Sequence, residues 1–241
     1  MFIRNFLVQN AIKTENGTNI YVDGLLNSYQ CGRLVYFDFV SNSTILNCGS
    51  CGANQTEITL GNCNNILLKT SNADAGYNSN EALLITNCED ITIYDSWFSS
   101  SNFDNNNLPT ASNRKGINII DSTDILIQCN QLINNKYGLY ATNCFELIAD
   151  ENKGEANLTY DFYLYDCENS SLSYNSDVSY ALRNINPEFK LDNCSNIYCI
   201  YNSITHEENE EEMLENCENI EFNNIFNVCA ISLNDFDLIN N

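Results

Sequence analysis

The chain has 241 residues, 44% of them hydrophobic, and a formal net charge of −22 from 32 acids against 10 bases. That is apolar material enough for a core, but the charge has the wrong sign for direct contact with a phosphate backbone. No apolar run approaches a membrane span, and the opening Met1-Phe2-Ile3-Arg4-Asn5-Phe6-Leu7-Val8 turns polar too soon for a secretory signal, so the expectation is synthesis in the cytoplasm, no membrane contact and free thiols.

Residues 1–11 read as a lead-in. From Ile12 onward one phrase recurs nine times: Asn or Asp, usually Cys, any residue, usually Asn or Asp, then Ile or Leu, as in Asn62-Cys63-Asn64-Asn65-Ile66. With Cys63 as the anchor, equivalent anchors fall at Gly17, Asn42, Cys88, Ser122, Cys144, Cys167, Cys194 and Cys217. A period in the twenties predicts a solenoid in which each repeat is one turn of a stack. Apolar residues stand five and three positions before the anchors, Phe37 and Phe39 in the second turn, Ile58 and Leu60 in the third, Leu139 and Ala141 in the sixth. They recur three and five positions after, as at Ile66 and Leu68 or Ile125 and Ile127. Residues two apart are the strand period, so each turn is predicted to hold two short strands with one apolar face. Nine turns with no intervening linker predict a single domain over residues 1–241.

The step between the strands is a predicted corner, because Asn and Asp tolerate left-handed backbone angles. The residue before the anchor is Asn or Asp in every turn but the second, where it is Ser41. Stacked side chains there predict a hydrogen-bonded Asn ladder. Cys at six anchors reads as core filling, since a free Cys behaves as a small buried hydrophobe. Adjacent-turn spacing also permits a disulfide, which the expected reducing compartment argues against. The lone Cys48-Gly49-Ser50-Cys51 is a weak zinc signal.

The repeat resembles the generic turn of the right-handed parallel β-helix in the pectin-lyase-like superfamily, Asn-Cys/Ser-x-Asn-Ile-x-Ile, over about residues 12–230. The resemblance implies an all-β, single-stranded right-handed parallel β-helix of about nine rungs. The superfamily spans polysaccharide lyases, hydrolases, epimerases, viral tailspikes and non-catalytic adhesins, so fold does not choose an activity. Polygalacturonase-like motifs are absent: there is no Asp-Asp pair and no Arg-Ile-Lys, and the only histidine, His206, lies between Thr205 and Glu207. Of the four arginines, Arg183 best fits the basic group a pectate-lyase-like site would need.

Departures from the repeat come in chain order. Residues 94–115 form a predicted loop insertion with the only Trp, where Trp97, Phe98 and Phe103 are candidate ligand contacts. Alternatively, the first two pack the loop onto the turns beneath. Tyr140, Tyr163 and Tyr165 have a parity opposite to Leu139 and Phe162, so they are predicted on the outer face, where a row of rings suits a glycan or a partner or simply stabilises the sheet. The glutamate run at 207–212 reads as a solvated loop; calcium is the one cation it would suit, and no cofactor is otherwise expected. Residues 230–241 form an end segment. Charge is uneven, net −5 over residues 1–140 and −17 over 141–241.

The expected function is that of a non-catalytic structural or binding β-helix of viral, phage or surface-assembly type. One face would contact a glycan or protein partner, and open ends favour self-association. The alternative is a polysaccharide lyase or glycoside hydrolase with Asp121, Asp124 and Asp166 as carboxylates and Arg183 or Lys136 as base or charge-neutralising group. The two corner aspartates, Asp121 and Asp166, read more strongly as turn formers. A third reading is an acidic decoy of a DNA-binding protein.

Overall fold

A computed structural model describes residues 10–28, 33–51, 55–75, 79–100, 114–155, 157–177, 189–204, 213–223 and 226–227. They form a parallel β-solenoid. Every strand pairs in parallel with the equivalent strand one turn on, as Ile117 with Leu139 and Leu139 with Phe162. A 17-stranded sheet wraps two faces of the rod and a 9-stranded sheet closes the third. The first face precedes the anchors, with strands such as Tyr137–Thr142. The second follows them, as Phe145–Asp150. The third carries short strands such as Trp97–Ser100.

The third strand is a correction: two strands per turn were predicted. Third-face strands run only two to four residues, as at Ser176–Asp177 and Asn72–Ala75, too short for alternation to register. Trp97 and Phe98 accordingly lie in a strand paired with Asn72–Ala75 and with Gln131–Ile133, not in a loop.

The second anchor is also corrected. Ser41 pairs with Asn64 and Asp38 with Gly61, so Val40, not Asn42, stands opposite Cys63. Val35 and Phe37 take the apolar positions opposite Ile58 and Leu60, and both are fully buried. Phe39 falls on the Asn position before the anchor, is 58% exposed and keeps the left-handed angle, φ 53°. The turns hold their register by hydrogen bonding and burial, so one misfit side chain does not shift it.

Corners follow the predicted chemistry. Asn62, Asn87, Asp121, Asn143, Asp166, Asn193 and Asn216 all have positive φ, as do residues three positions on such as Asn65 and Asp124. The anchors face inward, with Cys63, Cys88, Cys144, Cys167 and Cys194 at most 3% exposed. They do more than fill space. Each thiol donates to the carbonyl two residues back, Cys63 Sγ to Gly61 O at 3.1 Å and Cys194 Sγ to Asp192 O at 3.3 Å. Some anchors also accept from the amide of the preceding turn, Cys88 Sγ from Cys63 N at 3.3 Å, Cys217 Sγ from Cys194 N at 3.5 Å and, where the anchor is serine, Ser122 Oγ from Cys88 N at 3.1 Å. Valine cannot do this, which explains the Cys/Ser preference. These thiols are free.

The second corner holds a ladder that the sequence reading missed. Cys48, Ser71, Ser96, Asn130, Asn152, Asn175 and Asn202 stack inward and are buried. Asn130 N donates to Asn152 Oδ1, Asn152 N to Asn175 Oδ1 and Asn175 N to Asn202 Oδ1, each at 3.0 Å. Their amide nitrogens also reach carbonyls of the preceding turn, as Asn152 Nδ2 to Ile127 O at 2.8 Å. The signal was present, a Ser or Asn eight residues past most anchors, but it lay outside the conspicuous phrase.

Candidate functional site

The outer side of the first face carries the candidate site. Alternation in Tyr137–Thr142 and Tyr160–Tyr165 turns Leu139, Ala141, Phe162 and Leu164 into the core and leaves the intervening side chains outside. Register then pairs Tyr137 with Tyr160 and Tyr140 with Tyr163. The four rings form one cluster: Tyr140 and Tyr163 have centroids 5.0 Å apart, Tyr160 and Tyr163 5.5 Å at 14°, and Tyr137 meets Tyr140 edge-on at 5.2 Å. Sequence reading singled out Tyr140 and Tyr163 but missed Tyr137 and Tyr160, which precede the regular apolar positions.

Cations border the rings. Lys115 Nζ lies 3.7 Å from the Tyr140 centroid and Lys136 Nζ 5.0 Å from that of Tyr137, both within cation–π range. Burial, the largest cause, lowers the Lys115 pKa. Lys190 stands opposite Tyr163 in the next turn and pairs with Glu215 at 3.2 Å. Tyr163 donates its hydroxyl to Asp192 Oδ2 at 3.3 Å; burial first, then the Asp192 charge, pushes its pKa up. Rings leaning on one another along the rod cover each other's faces. Side chains stand roughly perpendicular to a sheet, so this surface offers phenol hydroxyls and ammonium groups more than open ring faces. Chemically, this surface suits hydrogen bonding more than the ring stacking that a row of aromatics first suggests.

The other sequence candidates disperse. Tyr165 is outward and 40% exposed, beside the corner rather than in the cluster. Trp97 is 44% exposed on the third face. Phe98 is fully buried and, as a correction, cannot touch a ligand, because its parity in Trp97–Ser100 aims it into the core. Phe103, Arg183, His206, the glutamates at 207–212, residues 1–9 of the lead-in and the end segment 230–241 lie outside the described residues.

The proposed carboxylates are corner groups. Asn143 Nδ2 donates to Asp121 Oδ1 at 2.6 Å and Asn193 Nδ2 to Asp166 Oδ1 at 2.9 Å, so Asp121, Asn143, Asp166 and Asn193 alternate along one edge. Asp124 lies three residues past Asp121, also at positive φ. Lys136 precedes the strand Tyr137–Thr142, so the strand's length, roughly 20 Å, separates it from this corner. A shallow cleft of about 250 Å³ at the corner is lined by Asp166 and Glu168 with Asn143, Phe145, Asn193 and Ser195 among others, and by no lysine, arginine or histidine. Among the described residues, carboxylates and a base therefore do not converge at this corner. Among the described residues no group of three or more His, Cys, Asp or Glu side chains is arranged to hold a metal, and no helix is long and apolar enough to cross a membrane.

No protein-family profile and no curated sequence matches this chain. Solved structures do. The enzymatically active domain of tailspike protein 2 from bacteriophage CBA120 superposes with a TM-score of 0.60 at 13% identity, covering 84% of this chain and 32% of that one. The A-modules of the mannuronan C-5 epimerases AlgE6 and AlgE4 of Azotobacter vinelandii give TM-scores of 0.56 and 0.55, both at 11% identity. They cover 90% and 86% of this chain, which spans 71% and 54% of the two modules. At such identity the likeness carries the fold alone, and by fold the chain is a right-handed parallel β-helix.

Proposed function

We propose that this chain is a binding β-helix that contacts a glycan or a protein partner through the tyrosine and lysine surface of its first face, without catalysing a reaction. The observation that carries the reading is the four-ring cluster of Tyr137, Tyr140, Tyr160 and Tyr163 edged by Lys115, Lys136 and Lys190. Such a surface supplies directional donors that read hydroxyl or carbonyl groups, on a rigid sheet that loses little entropy on binding. A virion or surface assembly suits this role, and one neighbour in fold is a phage tailspike domain. Glycan-array binding by the wild type and by Tyr140→Ala and Tyr163→Ala tests it. The expected result is a ligand whose affinity falls about tenfold or more in both variants. Ligands indifferent to both substitutions, or release of reducing ends or unsaturated sugars by the wild type, would overturn it. Self-association of the rod belongs to the same proposal; light scattering showing a strict monomer at all concentrations would remove that part.

A further inference from the structure

The outer side of the second face has a different character. Its central row runs Tyr21, Thr44, Leu67, Thr92, Leu126, Ile148, Ser171 and Tyr198, in register from turn to turn and uncharged over these eight turns, before Glu221 closes it in the next. In a chain of net charge −22 an uncharged row of that length is a departure. Towards the C-terminal turns it becomes an apolar patch. Ile148 is 42% and Tyr198 50% exposed, Leu126 is half-buried, and Phe145 flanks them. On the far side Tyr174 and Tyr201 stack at 5.0 Å and 15°. The exposed large hydrophobics therefore concentrate here rather than scattering singly, the usual mark of an interaction surface.

Both long edges of this face are acidic. Glu89, Asp90, Asp124 and Glu146 line the first corner, and Asp95, Asp150 and Glu151 line the second. Lys69, drawn over the Tyr94 ring at 4.9 Å, and Lys153, paired with Glu155 at 3.5 Å, are bases near the second edge. A second copy of the chain laid on this face would set acid against acid along both edges. Charge complementarity selects the opposite partner.

We infer that the second face docks a protein surface with an apolar centre bordered by lysine and arginine. The apolar centre supplies affinity and the acidic edges supply orientation and encounter rate. This surface is separate from the tyrosine face and does not rest on it.

A fluorescently labelled amphipathic helix of about 14 leucines and lysines is a direct probe, since it lays one apolar stripe between two basic ones. Fluorescence anisotropy would compare it with a scrambled peptide of the same composition and with the leucine–glutamate equivalent. The expected result is preferential binding of the amphipathic basic helix, weakening as salt rises, and an affinity about tenfold lower for Leu126→Glu/Ile148→Glu. Tyr140→Ala would leave this affinity unchanged while weakening ligand binding at the first face about tenfold or more. Tyr198→Ser serves as a second, milder variant, and circular dichroism confirms that each variant keeps the fold. Equal binding of the scrambled peptide, or indifference to Leu126→Glu/Ile148→Glu, would reduce the effect to diffuse charge and overturn the inference. So would a concentration-dependent dimer that Ile148→Glu dissolves, because the face would then be covered by a second copy.

Discussion

Single residues set the corners of this rod. The row that includes Asn62, Asn87, Asp121, Asn143, Asp166 and Asn193 is held at positive φ, and Phe39 occupies the same position at φ 53°. A phenylalanine there carries a left-handed cost of about 1–2 kcal/mol that asparagine largely avoids. Phe39→Asn should raise the melting temperature by a few degrees, and a calorimetric scan of both proteins measures it; an unchanged or lower value would mean the ring's surface packing outweighs the backbone strain. Thiols give a pH signature. Burial pushes the Cys199 pKa up to about 12 in the folded chain. The unfolded thiol ionises near pH 8.5, so the folded state holds the proton where the unfolded one releases it. The contribution from this group is fully present below about pH 8.5 and is lost as pH rises towards 12, by about 1.4 kcal/mol per pH unit. Under reductant, urea midpoints at pH 8 and pH 10 should fall less in Cys199→Ser than in the wild type.

At the scale of strands and ladders, hydrogen bonds decide where polar residues are tolerated inside. Asn152 makes bonds to both neighbouring turns, accepting from Asn130 and donating to Asn175 and to Ile127 O. Asn152→Leu deletes these and leaves buried amides and a carbonyl unpaired, at about 1–3 kcal/mol for each orphaned group. Chemical denaturation should show a loss of several kcal/mol, and a loss below ~1 kcal/mol would indicate that the ladder is ornamental rather than structural. A tighter constraint acts at Gly154, where a Cβ would fall 2.3 Å from Asp161 Cγ, itself 1% exposed. Gly154→Ala should therefore destabilise by more than ~2 kcal/mol, far beyond an exposed alanine substitution. The legible part of these elements was the pair of strands flanking each anchor, where alternation spans six residues, as in Tyr137–Thr142 and Phe145–Asp150. The third face was not legible, because strands such as Ser203–Ile204 are shorter than one period of alternation.

For the whole molecule, each turn rests only on its neighbours, so stability is close to a sum of turn and interface terms. Damage should accordingly stay local: hydrogen exchange of Asn152→Leu is expected to accelerate in the adjacent turns and leave the strands around Ile45 and Ile58 protected. The charge of −22 acts over the full rod instead. Self-repulsion opposes the compact state and is screened by salt, so the melting temperature should rise between 10 mM and 500 mM NaCl, on the order of a few degrees. No rise would mean that the acids are already neutralised by bound cations or well separated.

The sequence alone determined that this is a stack: a repeated Asn-Cys-x-Asn-Ile phrase fixes corner, inward anchor and strand period together, and only a parallel solenoid satisfies all three at once. It also determined which side of the first face Tyr140 and Tyr163 occupy, since parity within a strand is a local property. Tertiary structure decided what meets what. Residues a full turn apart become neighbours only when the coil closes, which is why Tyr137 and Tyr160 join Tyr140 and Tyr163, why Val40 rather than Asn42 completes the anchor row, and why Asn130, Asn152, Asn175 and Asn202 are a buried ladder rather than surface polarity. Lateral register is set by hydrogen bonds and burial between turns, and no single turn carries that information.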